Sequence, residues 1–245
     1  MDAMVCMANS IECDDLANTY RRPTNGLRSH DATLEIDENG MGYVVSCCDE
    51  ITNSDNPGNV NAYVDLVLID CKTLSTTSAR ERFIVARNGD SVEGKTIASG
   101  AGVPNCVLKG NILHIMFSSK LSDGKWYLLR RDFDITTKTF SNIAVCKILI
   151  NGSTYDFTTD NVSEYICEIS NLDTMVSANA QYGEYNGTYY CGMCFNIYSM
   201  TGIIFTTTDF DIFEHYLTPQ FNNPSYANFE AACYVWKNYL YYALR

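Results

Sequence analysis

Basic residues, helix signals and long apolar runs are what this 245-residue chain has little of. It carries 17 Lys+Arg against 29 Asp+Glu, a net charge of −12. Phosphate backbones are held by clustered Lys and Arg, and no such cluster is present, so a nucleic-acid partner is excluded. No apolar run approaches the ~20 residues that span a bilayer, so membrane insertion is not expected either. The stretch Ala62-Tyr63-Val64-Asp65-Leu66-Val67 is broken by a charge at strand spacing. Met1-Asp2-Ala3-Met4-Val5-Cys6 lacks the basic and continuously apolar regions of a secretory signal. The sequons at Asn151, Asn161 and Asn186 therefore read as chance in an Asn/Ser/Thr-rich chain. Histidine is also scarce, at positions 30, 114 and 215, and His114 in Leu113-His114-Ile115 reads as a satisfied strand residue.

Eleven Cys are scattered rather than dense, which suits buried thiols kept under reducing conditions better than a disulfide scaffold. Cys191-Gly192-Met193-Cys194 has the spacing of a redox or zinc pair. On a strand, however, residues three apart point to opposite faces, which suits neither. No cofactor or metal is implied.

What the chain has is β-structure. Hydrophobic residues make up 46% and charged residues 19%, enough for a packed core and against disorder. No long segment keeps a 3.6-residue apolar period. Short runs of Val, Ile, Tyr, Phe and Thr instead alternate with Gly/Asn/Asp turns. Ala32–Ile36, turn 37–40 and Gly42–Cys47 form one hairpin. The form recurs as Asn111–Ser118, turn Leu121–Gly124, Lys125–Arg131; as Thr188–Tyr198, turn Ser199–Gly202, Ile203–Thr207; and as Glu230–Val235, turn Lys237-Asn238, Tyr239–Leu244.

Three copies share a closing element, an Asp a few residues ahead of a bulky side chain. These are Asp70 before Leu74, Asp134 before Phe140 and Asp209 before Phe213. Units of this size, with several strands each, suit an all-β propeller with long connecting loops. A four-stranded blade cannot bury both faces alone, so blades stack around an axis. A two-sheet β-sandwich is the alternative.

Four short motifs carry a family resemblance. Tyr20-Arg21-Arg22-Pro23 resembles the Tyr/Phe-Arg-Ile-Pro motif that opens the sialidase (neuraminidase) propeller. Asn53-Ser54-Asp55-Asn56-Pro57 resembles the Asp-x-Pro loop that carries the sialidase acid/base, and a strand, Tyr63–Ile69, follows it. Glu230 opening a strand and Arg245 closing the next resemble the pair that supplies a Tyr-polarising Glu and the second of three carboxylate-clamping arginines.

The resemblance implies that Arg21 is a clamp arginine, with Arg22 the alternative that faces the axis. It implies that Asp55 is the acid/base, Glu230 the partner of the nucleophilic Tyr, and Arg245 the second clamp. Guanidinium groups bind a sialic-acid carboxylate bidentately, and cleavage passes through an oxocarbenium-like transition state. The third clamp Arg and the Tyr nucleophile lie in later blades of that family. No intact Ser-x-Asp-x-Gly-x-Thr-Trp box is present, and the elements at 70, 134 and 209 are degraded relatives of it.

Tyr is concentrated at 182–198 and 234–242. The segment 182–190 reads as an exposed loop, with Tyr185 and Tyr189 as candidate sugar contacts.

The expected organisation is an N-terminal extension over 1–19 and a sialidase-like propeller over 20–245. That length holds about three blades and the first hairpin of a fourth, so the chain reads as the leading part of a propeller, cut short or completed by other chains of an assembly. The expected function is a glycan-recognising module. An acidic β-protein without a leader fits a virion component such as a tail-fibre adhesin. The alternatives are a retaining exo-sialidase that releases terminal sialic acids and a structural β-domain without ligand.

Overall fold

The computed structural model describes residues 27–50, 63–72, 81–166, 175–177, 182–195, 201–218 and 231–244. It is almost wholly β. Strands β1 (Leu27–Ile36), β2 (Met41–Glu50), β3 (Tyr63–Asp70) and β4 (Glu81–Ala86) form an antiparallel meander in sequence order. The second sheet holds β5 (Ser91–Val92), β6 (Lys95–Lys109), β7 (Ile112–Leu121), β8 (Trp126–Asp134), β9 (Thr139–Phe140) and β10 (Ala144–Val145). Its order is β10-β8-β7-β6-β5, with β9 also on β8.

The third sheet combines β11 (Lys147–Ile150), β12 (Ser153–Asp156), β13 (Met175–Ser177), β14 (Gly183–Tyr185), β15 (Thr188–Phe195), β16 (Thr201–Thr207) and β17 (Ile212–Leu217). Its order is β12-β11-β17-β16-β15-β13, and β11 pairs with β17 in parallel across more than 60 residues of sequence. Strands β18 (Ala231–Trp236) and β19 (Tyr239–Leu244) form a last hairpin.

Sheets stack face to face in chain order, which is propeller geometry and not a two-sheet sandwich. Period-two alternation makes this possible, since every middle sheet needs two apolar faces. On β7, Leu113, Ile115 and Phe117 join the core against the first sheet, while Met116 joins the core against the third. On β8, Leu129 and Phe133 face one way and Leu128 the other. Phe157, Phe195, Phe205, Phe210 and Phe213 fill the second core. Fully burying each contributes about 1.5–3 kcal/mol.

Cys191 belongs to that core and Cys194 does not, as opposite strand faces require, although both are buried. His114 is satisfied: its Nδ1 lies 2.9 Å from Asp132, and its ring stacks on Phe210 at 4.6 Å.

The three closing aspartates are turn-formers. Asp134 Oδ1 accepts from the backbone N–H groups of Thr136 (2.8 Å) and Thr137 (3.0 Å). Asp209 Oδ1 accepts from Asp211 and Ile212, both at 2.9 Å, and Asp70 Oδ1 accepts from Lys72 at 2.9 Å. Asp70 closes β3, Asp134 closes β8 and Asp209 follows β16, so these elements repeat structurally without the glycine of an intact box. Hydrogen bonding from Thr137 and Thr136 lowers the Asp134 pKa; at Asp209 burial opposes the shift, but donors from Ile212, Asp211 and Thr207 outweigh it.

One short helix departs from the all-strand expectation. α1 (Thr159–Tyr165) is capped by Thr158, whose side chain accepts from Asn161 N at 3.2 Å. Seven residues are too few for an apolar period to show. No helix among the described residues is long and apolar enough to cross a membrane.

Candidate functional site

Topology gives the sheets two distinct ends. Tight hairpins close one of them: turns 37–40, 110–111, 186–187 and 237–238. Contacts between neighbouring sheets hold these turns together. Thr33 Oγ1 meets Cys106 Sγ at 3.2 Å, three residues short of the end of each strand. Lys109 Nζ sits 5.7 Å from the Tyr189 ring centroid, and a Cβ on Gly183 would lie 2.9 Å from Val235.

The opposite end, the open end, carries the longer connections over 51–62 and 218–230 as well as tight turns at 93–94 and 122–125. There Leu27 at the start of β1 pairs with Glu50 at the end of β2, and Tyr63 at the start of β3 pairs with Cys48. Ala231 at the start of β18 pairs with Leu244 at the end of β19.

Arg21, Arg22, Asp55, Glu230 and Arg245 all lie outside the described residues. The strand ends that adjoin them are described. Arg21 and Arg22 precede β1, Asp55 falls between β2 and β3, Glu230 immediately precedes β18, and Arg245 follows β19. Every one of these strand ends belongs to the open end.

Tyr185 and Tyr189 stand at the hairpin end instead. Their segment is a hairpin, β14 to β15, and not the exposed loop expected. The cause is Asn186-Gly187, whose φ values of 52° and 79° make a two-residue turn of the kind that matches strand twist. Tyr189 packs on Phe210 at 4.6 Å, and Tyr185 is 38% exposed. The structure therefore does not bring the two tyrosines to the end that the other candidates adjoin.

Two further groups escape a motif search. The first braces β3, the strand that follows the Asp55 connection. Asp65 is fully buried, yet both its oxygens are occupied: Ser46 Oγ donates at 2.7 Å and Arg82 Nε at 2.8 Å. Arg82 also donates to the Tyr63 hydroxyl at 2.6 Å and lies 5.6 Å from that ring's centroid. Burial works against the Arg82 charge, but Asp65 and Tyr63 outweigh it and raise its pKa. Asp65 interrupting an apolar strand was the available signal, because a charge there needs a partner.

The second is Glu35, half-buried on β1 near the hairpin end. Burial alone pushes its carboxyl up to about 7, so it exchanges a proton near neutrality. Its charge in turn raises the pKa of Tyr189, behind the larger effects of that hydroxyl's burial and Glu184.

A groove of about 330 Å³ also opens at the hairpin end, lined by Thr188, Thr206, Thr208, Asp209 and Glu214 among others. It is remote from the open end. No group of three or more His, Cys, Asp and Glu among the described residues is arranged to hold a metal ion.

By sequence, no protein-family profile and no curated protein matches the chain. Solved structures do. Trypanosoma rangeli sialidase in complex with the inhibitor DANA superposes with a TM-score of 0.56 at 14% identity, covering 89% of this chain and 34% of that one. A Hadza microbial sialidase gives 0.54 at 11% identity, covering 84% and 39%. A family 117 glycoside hydrolase from Zobellia galactanivorans gives 0.52 at 12% identity, covering 91% and 68%.

The fold is thus a partial sialidase-like β-propeller. The chain spans only about a third of the sialidases it matches.

Proposed function

We propose that this chain is a glycan-recognising propeller module whose ligand site is the open end of the stacked sheets. One observation carries the reading. The strand ends that adjoin Arg21, Asp55, Glu230 and Arg245 all fall at that end, on the first and the last sheets. Under this reading residues 100 or more apart in sequence serve one ligand, and guanidinium groups in such a setting suit a sugar carboxylate.

Binding is proposed ahead of catalysis. The motifs found here supply guanidinium groups that hold a carboxylate, which serves binding directly. The narrower role of a virion or tail adhesin rests on composition alone.

A glycan array probed with the full chain tests the proposal. Sialylated spots are expected to bind, and Arg21→Ala to lose them. Silence at high protein concentration would favour a structural domain without ligand. Release of a fluorescent aglycone from a sialoside, abolished by Asp55→Asn, would establish the hydrolase instead.

A further inference from the structure

Four Asn-Gly pairs fall among the described residues: Asn39-Gly40, Asn88-Gly89, Asn151-Gly152 and Asn186-Gly187. In such a pair the glycine nitrogen follows the asparagine directly, and glycine has no Cβ to obstruct its approach to the side-chain amide. Resonance ties up the lone pair of a peptide nitrogen, so that nitrogen attacks a carbonyl only as its proton leaves. What each glycine N–H is bonded to therefore decides how reactive the pair is.

The four differ there. Gly40 N donates to Asp37 O at 3.0 Å, and Gly89 N donates to Ile97 O at 2.9 Å. A carbonyl oxygen is a far weaker base than a carboxylate. Around Gly152, residues 149–155 hold no acid. The next acid along the chain, Asp156, accepts from Lys147 Nζ at 2.7 Å, at the far end of the β11–β12 pairing. Gly187 N alone of the four donates to a carboxylate, Glu184 Oε1, at 2.6 Å. A base is thus in place on the proton whose removal makes Gly187 N a nucleophile.

Asn151-Gly152 is otherwise a twin of Asn186-Gly187. Each is a two-residue turn between paired strands, with Ile150 opposite Ser153 and Tyr185 opposite Thr188. Asn151 and Asn186 have φ of 50° and 52°, and Gly152 and Gly187 have φ of 80° and 79°. All four residues are exposed, and a Cβ on either glycine would meet nothing within 4 Å. Both turns project from strand ends, away from the faces on which sheets stack. The backbone rotation that ring closure requires is common to both turns, and Glu184 is the difference.

We propose that Asn186 is a self-modification site, at which Glu184 is the general base for attack of Gly187 N on the Asn186 side-chain carbonyl. Glu184 takes the Gly187 N–H proton as Gly187 N bonds to Asn186 Cγ. The Cγ–Nδ2 bond then breaks, Glu184 returns the proton to the departing nitrogen, and ammonia leaves. A succinimide remains. Water opens that ring at one carbonyl or the other, which leaves aspartate or isoaspartate at position 186. Either product places a new carboxylate beside Glu184. Isoaspartate also lengthens the backbone by a methylene inside the turn that sets the β14–β15 register. The inference is independent of the ligand reading of the open end.

The test incubates the full chain in dilute buffer and follows the peptides that hold Asn151 and Asn186 by mass spectrometry, for ammonia loss and for aspartate and isoaspartate. Asn186 is expected to convert at least about tenfold faster than Asn151. Glu184→Gln keeps an oxygen that accepts from Gly187 N but removes the base, and should bring Asn186 to within about threefold of Asn151. Asn151 in the same sample is the internal clock, so a general loosening of the fold moves both sites.

The pH profile separates a base from a merely structural contact. Conversion at Asn151 should follow hydroxide and rise steeply from about pH 6 to about pH 8, while conversion at Asn186 should rise far less. Glu184→Gln should restore the steep rise at Asn186. Equal rates at the two sites, or a fast Asn186 that Glu184→Gln leaves unchanged, would overturn the proposal. So would an Asn186 slower than Asn151, because Glu184 would then be holding the turn shut.

Discussion

The hairpin end and the open end of these sheets differ in what they connect, although both use tight turns. At the hairpin end the chain turns in two to four residues, using Asn-Gly pairs and aspartates that hold backbone N–H groups. It also packs its largest rings there: Phe210 is fully buried beneath His114, Tyr182 and Tyr189. The open end has tight turns as well, with Asp123 accepting from Lys125 N and Asp90 from Arg87 N, but it also carries longer connections, and the residues of the sialidase resemblance adjoin those. Contacts between neighbouring sheets join the turns of the hairpin end; the open end is the ligand site proposed above. This separation matches the general rule that rigid elements position functional loops.

The contrast breaks most visibly if the hairpin end is damaged. Phe210→Ala should cost about 3–5 kcal/mol, read from the urea midpoint, while Arg21→Ala and Asp55→Asn should stay within about 0.5 kcal/mol. Comparable losses at both ends would erase the distinction.

Arg82→Ala leaves the Asp65 carboxylate buried with Ser46 as its remaining side-chain donor. The cost should be about 2 kcal/mol, below that of a fully buried pair because Arg82 is 37% exposed. Adding Asp65→Asn should return part of it, and a double-mutant cycle reads the coupling.

Glu35 sharpens the comparison through pH. Its folded pKa, about 7, is above its unfolded value near 4.5, so ionisation opposes folding. Stability at this site is lost as pH rises from about 4.5 through 7. Glu35→Gln should therefore stabilise the chain by roughly 2 kcal/mol at pH 8 and by almost nothing at pH 4. The smallest effect is expected at one turn: Asp209→Ala orphans two backbone donors and should cost about 1 kcal/mol.

Much of the hairpin end is readable without coordinates. The turns at 37–40 and 237–238, and the aspartates at 70, 134 and 209, follow from short-range rules in which turn residues and alternation act within a few positions. Asn186-Gly187 carried the same signal, but a dense run of tyrosines around it suggested a loop.

Other features depend on distance in sequence. The parallel pairing of β11 with β17 has no local signature, and neither does the contact of Arg82 with Asp65 across two strands. Glu35 is marked in the sequence only by Thr33-Leu34-Glu35-Ile36, a charge in an apolar strand. Its burial comes from the neighbouring sheet, which no local pattern reveals. The ligand residues rest on motifs, and the structure fixes only the strand ends beside them.

The most direct test of the open-end claim is a chemical-shift map. The amide-labelled full chain is titrated with 3′-sialyllactose, and backbone resonances are followed at both ends. The account predicts shifts clustered at Leu27, Glu50, Tyr63, Ala231 and Leu244, with Asp37, Gly110 and Asn186 unmoved. Shifts centred on the hairpin turns, or none at saturating sugar, would contradict it.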